Sequence, residues 1–180
     1  HEGHLKSNHI ISAFSEIDRI DFVPKELKSE AYRNAPLPIG YGQTISQPLT
    51  VAFMLELLDP RAGQKILDVG SGSGWTTALL SQIVGKRGKI IALEKISELM
   101  KFGKNNVEKY SFVKRGIAEF HKADGSVGFP EKSPFDRILV SAASQDIPED
   151  LKKQMKVGGK MVIPVKNSIL YIERKNEDEF

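Results

Sequence analysis

Residues 65–75 of this 180-residue chain read KILDVGSGSGW, and they predict its fold class. An apolar run typical of a buried strand carries one carboxylate, Asp68. Glycines then occupy alternate positions 70, 72 and 74, and a helical pattern begins at Trp75. A strand, a glycine turn and a helix in this order predict a nucleotide-sized crevice, because glycines let a ligand approach the backbone closely.

The spacing of the glycines distinguishes two classes of ligand. A dinucleotide-binding turn reads G-x-G-x-x-G or G-x-G-x-x-A, but the sixth position counted from Gly70 is Trp75, and counted from Gly72 it is Thr77. The pattern present is acidic-x-G-x-G-x-G, which is that of S-adenosylmethionine-dependent methyltransferases. Asp68 suits the positive amino and sulfonium groups of this methyl donor and would repel a pyrophosphate. We therefore expect S-adenosyl-L-methionine as the cofactor and S-adenosyl-L-homocysteine as its product.

Predicted strands and helices alternate along the chain from residue 64 onward. The strands are 65–69, 89–93, 118–122, 136–140, 160–165 and 168–173, and the helices are 75–84, 97 towards 115, and 149–155. This alternation predicts an α/β, Rossmann-like class I methyltransferase fold with a mostly parallel sheet and helices on both faces. We expect a single domain over residues 1–180, with an N-terminal helical cap (1–45) and a core (46–180).

The N-terminal part is predicted to contain two helices and a loop. Apolar residues at helical spacing predict an amphipathic helix over 9–22, and a second short helix covers 25–32. Residues 34–48 are rich in proline and glycine and are predicted to be a loop. Ser46 is placed to cap a helix that has Pro48 in its first turn and ends at Asp59.

Three acidic residues fall at the predicted ends of consecutive strands. In sheets of this kind ligands bind beyond the carboxyl ends of the strands. Asp68 lies at the exit of the first strand, Glu94 ends the second, where a carboxylate can accept from both ribose hydroxyls, and Asp124 follows the third, near the adenine amino group. Asp124-Gly125 alone would more often be a turn, so the inference depends on the three groups occurring together.

Composition excludes several classes of function. The chain has no cysteine, which excludes a disulfide framework, a thiolate metal site and a cysteine nucleophile. His1, His4 and His9 do not form a metal set, so we expect no metal. The formal net charge is +3, with lysines interleaved among acidic residues, which disfavours a nucleic-acid partner. Apolar runs are short and the N-terminus lacks a signal sequence, so we expect a cytoplasmic monomer without membrane contact.

Residues 42–48, GQTISQP, lie upstream of the glycine turn and resemble the protein-L-isoaspartate (D-aspartate) O-methyltransferase family. The resemblance extends over residues 10–173. Further matches follow in the family's order: Asp21-Phe22-Val23-Pro24, Ala31-Tyr32, Pro36-Leu37-Pro38-Ile39-Gly40, Asp124-Gly125, Phe135-Asp136-Arg137-Ile138, Ser141-Ala142-Ala143, Gly158-Gly159 and Ile163-Pro164-Val165. The glycine turn alone indicates only a methyltransferase, whereas the TISQP segment makes the family assignment specific.

The resemblance implies a protein repair enzyme that moves a methyl group from S-adenosylmethionine to the α-carboxylate of L-isoaspartyl residues, with D-aspartyl residues as a second acceptor named by the family. Its partners would be damaged peptides and proteins. By resemblance Ser46 and Thr44 are the catalytic residues, and Ser46, Ala142 and Ala143 bind the substrate. The implied cofactor-binding residues are Ile45, Asp68, Gly70, Ser71, Gly72, Ser73, Glu94, Lys95, Asp124 and Gly125.

The sequence is consistent with this chemistry and leaves two alternatives open. A carboxylate is ionised at neutral pH, so it needs no general base, and the predicted strand ends offer no histidine–aspartate pair or lysine base. One alternative keeps the methyl donor and changes the acceptor to RNA or a biosynthetic peptide. The other is a non-catalytic adaptor that binds the cofactor or isoaspartyl residues.

Overall fold

The computed structural model of the chain describes residues 5–180. His1 and His4 lie outside these residues, so the predictions made from the first four residues stay predictions. The α-helices of the described part are α1 (Asn8–Glu16), α2 (Pro48–Leu58), α3 (Trp75–Val84), α4 (Ser97–Glu108) and α5 (Glu149–Lys153). The strands are β1 (Leu37–Gly40), β2 (Gln43–Ile45), β3 (Lys65–Val69), β4 (Lys89–Glu94), β5 (Ala118–Lys122), β6 (Phe135–Val140), β7 (Met155–Val165) and β8 (Ser168–Glu173).

Within residues 5–180, six strands form the main sheet, in the order β5-β4-β3-β6-β7-β8. Neighbouring strands are parallel except β7 and β8, which pair antiparallel. β1 and β2 form a separate antiparallel hairpin. The chain passes from β3 outward to β4 and β5, and β6 then returns to the other side of β3. This reversal opens a crevice at the carboxyl end of β3, which is where sheets of this kind bind ligands.

Alternate residues of the central strands pack into clusters on opposite faces of the sheet. Ile66 and Ile90 belong to the cluster formed with helices α1 to α4. Leu67 and Ile91 belong to the second cluster, which includes Leu151 of α5. Because both faces are covered, these strands are apolar on both sides. The predicted mostly parallel sheet with helices on both faces is therefore confirmed.

The first predicted helix is shorter than expected. β3, α3, β5 and β8 have the predicted bounds, but α1 ends at Glu16 and not near residue 22. Ile17 is extended, and Asp18 begins a 3₁₀ helix (Arg19–Phe22) by accepting a hydrogen bond from the N–H of Ile20. A short polar side chain that binds nearby backbone groups competes with the helix in this way.

The prediction that residues 34–48 form a loop is wrong, because the β1–β2 hairpin lies there. Leu37 pairs with Ile45, and both side chains are buried. Gly40, Tyr41 and Gly42 all have positive φ, which makes the reversal between the strands. The predicted helical cap thus contains a hairpin as well as helices, and the division into a cap (1–45) and a core (46–180) stays a prediction.

The ends of α4, α5 and β7 also differ from the prediction. α4 ends at Glu108 and does not approach Arg115, since Ser111 has a φ of +59° and the Glu108 carboxylate accepts from the N–H of Lys114. α5 ends two residues early, and β7 starts at 155 instead of 160, passing through the two glycines. No helix formed by residues 5–180 has the length and apolar character needed to cross a membrane.

Candidate functional site

A cavity of about 410 Å³ lies at the carboxyl ends of the strands, between the glycine turn and the β1–β2 hairpin. This volume is in the range of small-molecule sites. Every predicted site residue except Asp68 lines it: Thr44, Ile45, Ser46, Gly70, Ser71, Gly72, Ser73, Glu94, Lys95, Asp124, Gly125, Ala142 and Ala143. The structure therefore brings the cofactor residues and the substrate residues predicted from the sequence to one place.

The glycine turn is fixed to the end of β4. The N–H groups of Gly70 and Ser71 donate to the carbonyl oxygen of Leu93, at 2.9 and 3.0 Å. The N–H of Gly72 donates to Oε2 of Glu94 at 3.0 Å, and the other carboxylate oxygen accepts from the N–H of Ile96. Glu94 is buried and each of its oxygens keeps a lone pair for a ligand. Glu94 thus shapes the turn as well as lining the cavity.

Different neighbouring residues leave no room for a side chain at positions 70 and 74 of the glycine turn. The glycines of this turn all have positive φ, and a Cβ on Gly70 would lie 3.1 Å from Cβ of Ala142. A Cβ on Gly74 would lie 2.6 Å from the carbonyl oxygen of Gly103 in α4. Gly74 therefore serves close packing of the turn on a helix, and does not line the cavity.

Asp68 lies behind the cavity wall. Its carboxylate is fully buried and accepts from the hydroxyls of Thr77 at 2.6 Å and Thr76 at 3.0 Å, both on Oδ2. Burial raises the pKa of Asp68 to about 6, opposed by these two hydrogen bonds. Oδ1 has no partner among the described residues. The predicted direct contact between Asp68 and the cofactor stays a prediction.

Asp124 lies at the exposed rim of the cavity. It accepts from the backbone N–H and the hydroxyl of Ser126, and Lys95 lies 3.2 Å away. The hydrogen bonds from Ser126, with the charge of Lys95, lower the pKa of Asp124 to about 2, so it is an ionised acceptor at neutral pH. A Cβ on the adjacent Gly125 would meet Cγ1 of Val69 at 2.2 Å, which explains the glycine by packing against β3.

The prediction that Ser46 caps α2 is wrong. The residue directly before the helix is Gln47, whose side chain makes no capping hydrogen bond within residues 5–180, and Ser46 lies one residue too early. In the first turn, the N–H of Leu49 instead donates to Oδ1 of Asn34 at 3.1 Å. This N–H is therefore paired without Ser46, which lines the cavity.

Two buried polar atoms beside the cavity lack partners among the described residues. These are Oγ of Ser71 and Nε1 of Trp75, and both residues line the cavity. Buried polar atoms are normally paired, so unpaired ones at a cavity indicate a site for a polar ligand. No group of His, Cys, Asp and Glu in residues 5–180 is arranged to hold a metal ion. The hydrogen-bonding groups around the cavity instead fit an organic ligand with hydroxyl and amino groups.

The family model for protein-L-isoaspartate (D-aspartate) O-methyltransferase matches residues 1–180. The chain belongs to this family. Among curated relatives of this methyltransferase, the Methanopyrus kandleri protein-L-isoaspartate O-methyltransferase is 45% identical over 179 residues, covering 98% of this chain and 78% of the relative. The Methanothrix thermoacetophila protein of the same name is 43% identical over 174 residues, covering 96% and 81%.

Solved structures share the fold. A Plasmodium falciparum protein, solved in complex with S-adenosyl-L-homocysteine, superposes with a TM-score of 0.86 at 24% identity, covering 97% of this chain and 86% of that one. A second solved structure, of a protein-L-isoaspartate O-methyltransferase, has a TM-score of 0.79 at 32% identity, covering 88% and 51%. The predicted family, Rossmann-like fold and repair methyltransferase class are confirmed, with isoaspartyl-containing proteins as substrates.

Sequence reasoning missed several residues that shape the site of this methyltransferase. Ile39 and Gln43 line the cavity from the hairpin, and Ser126, Ser141 and Ser144 line it from the loops after β5 and β6. A hairpin prediction for residues 37–45 would have pointed to the first two. Arg19 and Asn34 hold the hairpin side, but both stand in predicted polar positions, and nothing in the pattern distinguishes them from surface residues.

Proposed function

We propose that the cavity binds S-adenosylmethionine along the glycine turn and the acceptor carboxylate at Ser46, on the hairpin side. The observation that carries this proposal is the placement of Ser46, Ala142 and Ala143 on the same cavity as Glu94 and the glycine turn. The Plasmodium falciparum protein of the same fold holds S-adenosyl-L-homocysteine. The unpaired atoms of Ser71 and Trp75 support a polar ligand here.

The cofactor residues would act through charge and hydrogen bonding. Glu94 would accept from the ribose hydroxyls and Asp124 from the adenine amino group, with Lys95 holding Asp124 in place. Asp68, behind the turn, would favour a positively charged ligand on that side. S-adenosylmethionine, when bound, supplies a methyl group on a positively charged sulfur.

The acceptor residues would orient an anion that is already reactive. The isoaspartyl α-carboxylate carries no proton at neutral pH, so no residue has to remove one. The Ser46 hydroxyl would donate a hydrogen bond to one carboxylate oxygen, and Thr44 and Ile45 would lie beside the transferred methyl group. Apolar residues line the same cavity and would limit the water around a bound substrate: Ile45, Val51, Val140, Leu151 and Ile163. Alignment in a site with little water is the main contribution that this reaction needs.

A paired-peptide assay tests this function. One peptide contains L-isoaspartate and the other contains L-aspartate at the same position, and radioactive methyl transfer is measured for both. We expect methylation of the first peptide only, and a third peptide with D-aspartate tests the second acceptor named by the family. Equal labelling of the first two, or labelling of RNA with neither peptide labelled, would contradict the proposal.

We also propose an oligomeric state, a set of excluded partners and a location for the protein. Composition favours a monomeric state, the absence of nucleic-acid or membrane partners and a cytoplasmic location. Sedimentation of the purified protein with and without RNA tests the oligomeric state and the absence of a nucleic-acid partner. A dimer, or a complex with RNA, would contradict them.

A further inference from the structure

Arg19 is a buried cation outside the residues assigned above. Arg19 is only 4% exposed and lies in the 3₁₀ helix between α1 and the hairpin. No carboxylate of residues 5–180 lies within salt-bridge distance of its guanidinium. A buried charge without an ionic partner is costly unless its donors are satisfied otherwise. What its donors bind therefore indicates its role.

The guanidinium donates to carbonyl oxygens on both sides of the hairpin. Nη1 donates to the carbonyl of Ala31, and Nη2 donates to the carbonyl of Ala35 at 3.1 Å. Both acceptors precede β1. Nη2 also donates to the carbonyl oxygen of Ser46, directly after β2, at 3.0 Å. One side chain thus ties the start of the hairpin to its end.

The guanidinium lies over the ring of Trp75, the first residue of α3. The distance from Cζ of Arg19 to the ring centroid is 5.3 Å, and Phe14 packs edge-on against the same ring at 5.6 Å. Nε of Arg19 has no hydrogen-bond partner in the described chain. Arg19 therefore joins the hairpin to the helix that follows the glycine turn.

The glycine-turn side of the cavity has supports of its own. Glu94 holds Gly72, and the Asn106 side chain of α4 donates to the carbonyl of Ser73 at 3.0 Å. Neither contact passes through Arg19. The hairpin side has Arg19 at its base and carries Thr44, Ile45 and Ser46 into the cavity. Loss of Arg19 would therefore displace the acceptor side first.

We propose that Arg19 is a positioning residue that holds the hairpin and Ser46 over the cavity, and so sets the affinity for the acceptor peptide and not for the cofactor. This inference rests on the proposed role of Ser46 in binding the acceptor carboxylate. It assigns a function to a residue that contacts neither ligand. The guanidinium is suited to this because it is a planar group with several fixed donors.

The test uses Arg19→Lys and Arg19→Met. Lysine keeps the charge but cannot reach carbonyls on both sides of the hairpin in one plane, and methionine removes every donor. For Arg19→Lys we expect kcat/KM for the isoaspartyl peptide to fall roughly 10–100-fold, mostly through KM. For Arg19→Met we expect a larger fall in kcat/KM for the same peptide. Affinity for S-adenosyl-L-homocysteine, measured by calorimetry, should change by less than about threefold in Arg19→Lys.

Glu56→Ala is the matched control in the same N-terminal region. Glu56 accepts from the backbone N–H of Lys6 and of Ser7 and so fixes the start of α1, away from the cavity. The substitution should lower the melting temperature and leave kcat/KM for the peptide unchanged at a temperature where the variant is folded. Equal kinetic losses in Glu56→Ala and Arg19→Lys would show a general effect of stability and overturn the proposal.

A double variant decides whether Arg19 acts through Ser46. If it does, Arg19→Lys combined with Ser46→Ala should lose little more peptide kcat/KM than Ser46→Ala alone. Multiplicative losses, or equal losses of peptide and cofactor affinity, overturn the proposal. If Arg19→Met does not fold, Arg19→Lys still decides, and its circular dichroism spectrum verifies its fold. An inactive wild-type protein would instead contradict the proposed function.

Discussion

The cavity has two sides that are held in different ways. On the glycine-turn side, neighbouring strand ends meet in register, and the contacts are backbone hydrogen bonds, close glycine packing and one carboxylate, Glu94. On the hairpin side, side chains from distant segments bind backbone groups: Arg19 binds the carbonyl of Ser46, and Asn34 binds the N–H of Leu49. The glycine-turn side depends on the backbone conformation of a short segment, and the hairpin side depends on individual side chains. Substitutions should therefore have different consequences on the two sides.

Gly74→Ala should break the glycine-turn side and have the largest effect. Its Cβ would lie 2.6 Å from the Gly103 carbonyl oxygen at a φ of +85°. We expect a loss of about 2–4 kcal/mol in the free energy of unfolding, from backbone strain plus overpacking, together with loss of cofactor binding. Urea unfolding and calorimetry with S-adenosyl-L-homocysteine measure the two effects.

Gly63→Ala is the control for that substitution. Gly63 has a similar φ of +80°, but no neighbouring atom would lie within 4 Å of a Cβ added there. Only the backbone strain should remain, about 1 kcal/mol, with cofactor binding retained. If the two variants lose the same free energy of unfolding, close packing on α4 does not explain Gly74.

Asp68→Asn removes the charge behind the glycine turn. The folded-state pKa of about 6 lies above the ordinary value of 3.8, so the ionised carboxylate destabilises the ligand-free protein at neutral pH. The variant should be more stable than the wild type at pH 8 by about 2–3 kcal/mol, and this difference should disappear as the pH falls from 6 towards 4.

Urea unfolding across this pH range measures the difference, with exposed Asp150 changed to Asn as a control. Asp150 pairs only loosely with Lys153, at 3.9 Å, so its substitution should leave the pH profile of the wild type unchanged. A constant difference between wild type and Asp68→Asn at all pH values would contradict the raised pKa.

Ser46→Ala tests the hairpin side alone. Because the helix α2 does not use Ser46 as a cap, the change should cost little stability. We expect kcat/KM for the isoaspartyl peptide to fall roughly 10–100-fold, the loss of one hydrogen bond to a charged group. Affinity for S-adenosyl-L-homocysteine should stay close to that of the wild type.

Ser12→Ala, on the exposed face of α1, is the matched serine control and should leave peptide kinetics unchanged. A collapse of cofactor affinity in Ser46→Ala would place this serine on the glycine-turn side. The hairpin side would then take part in binding the cofactor.

Glu56→Ala should have the smallest effect. Removing the acceptor for the N–H groups of Lys6 and Ser7, which directly precede α1, should lower the free energy of unfolding by about 1 kcal/mol. Thermal unfolding followed by circular dichroism measures this. A stability equal to that of the wild type would mean that the start of α1 contributes nothing to holding the N-terminal region.

Strong local patterns predict the fold and the glycine-turn side. The alternation of apolar strands and helices is a short-range signal, and β3 and α3 have the predicted bounds for that reason. The pattern places Asp68 near the turn, but the sequence could not show that its carboxylate turns inward to Thr76 and Thr77. Side-chain direction at a strand end depends on the neighbouring helix.

The hairpin side could be predicted only through the family resemblance. Proline and glycine make residues 34–48 look like a loop, although pairing of Leu37 with Ile45 orders them. Arg19 falls on the predicted polar face of a helix, and its burial results from contacts with residues 31–46 and with Trp75. Such tertiary contacts leave no periodic signal in the sequence.

The position of β6 beside β3 has a consequence for how the chain acquires its cavity during synthesis. Their pairing joins Ile66 to Arg137, and Ala142, just after β6, closes against Gly70. A growing chain that has released only the glycine turn, β4 and β5 therefore has one wall of the site and no neighbour on the other side of β3. Because parallel strands distant in sequence pair late, the binding site should form only after β6 and Ala142 have left the ribosome.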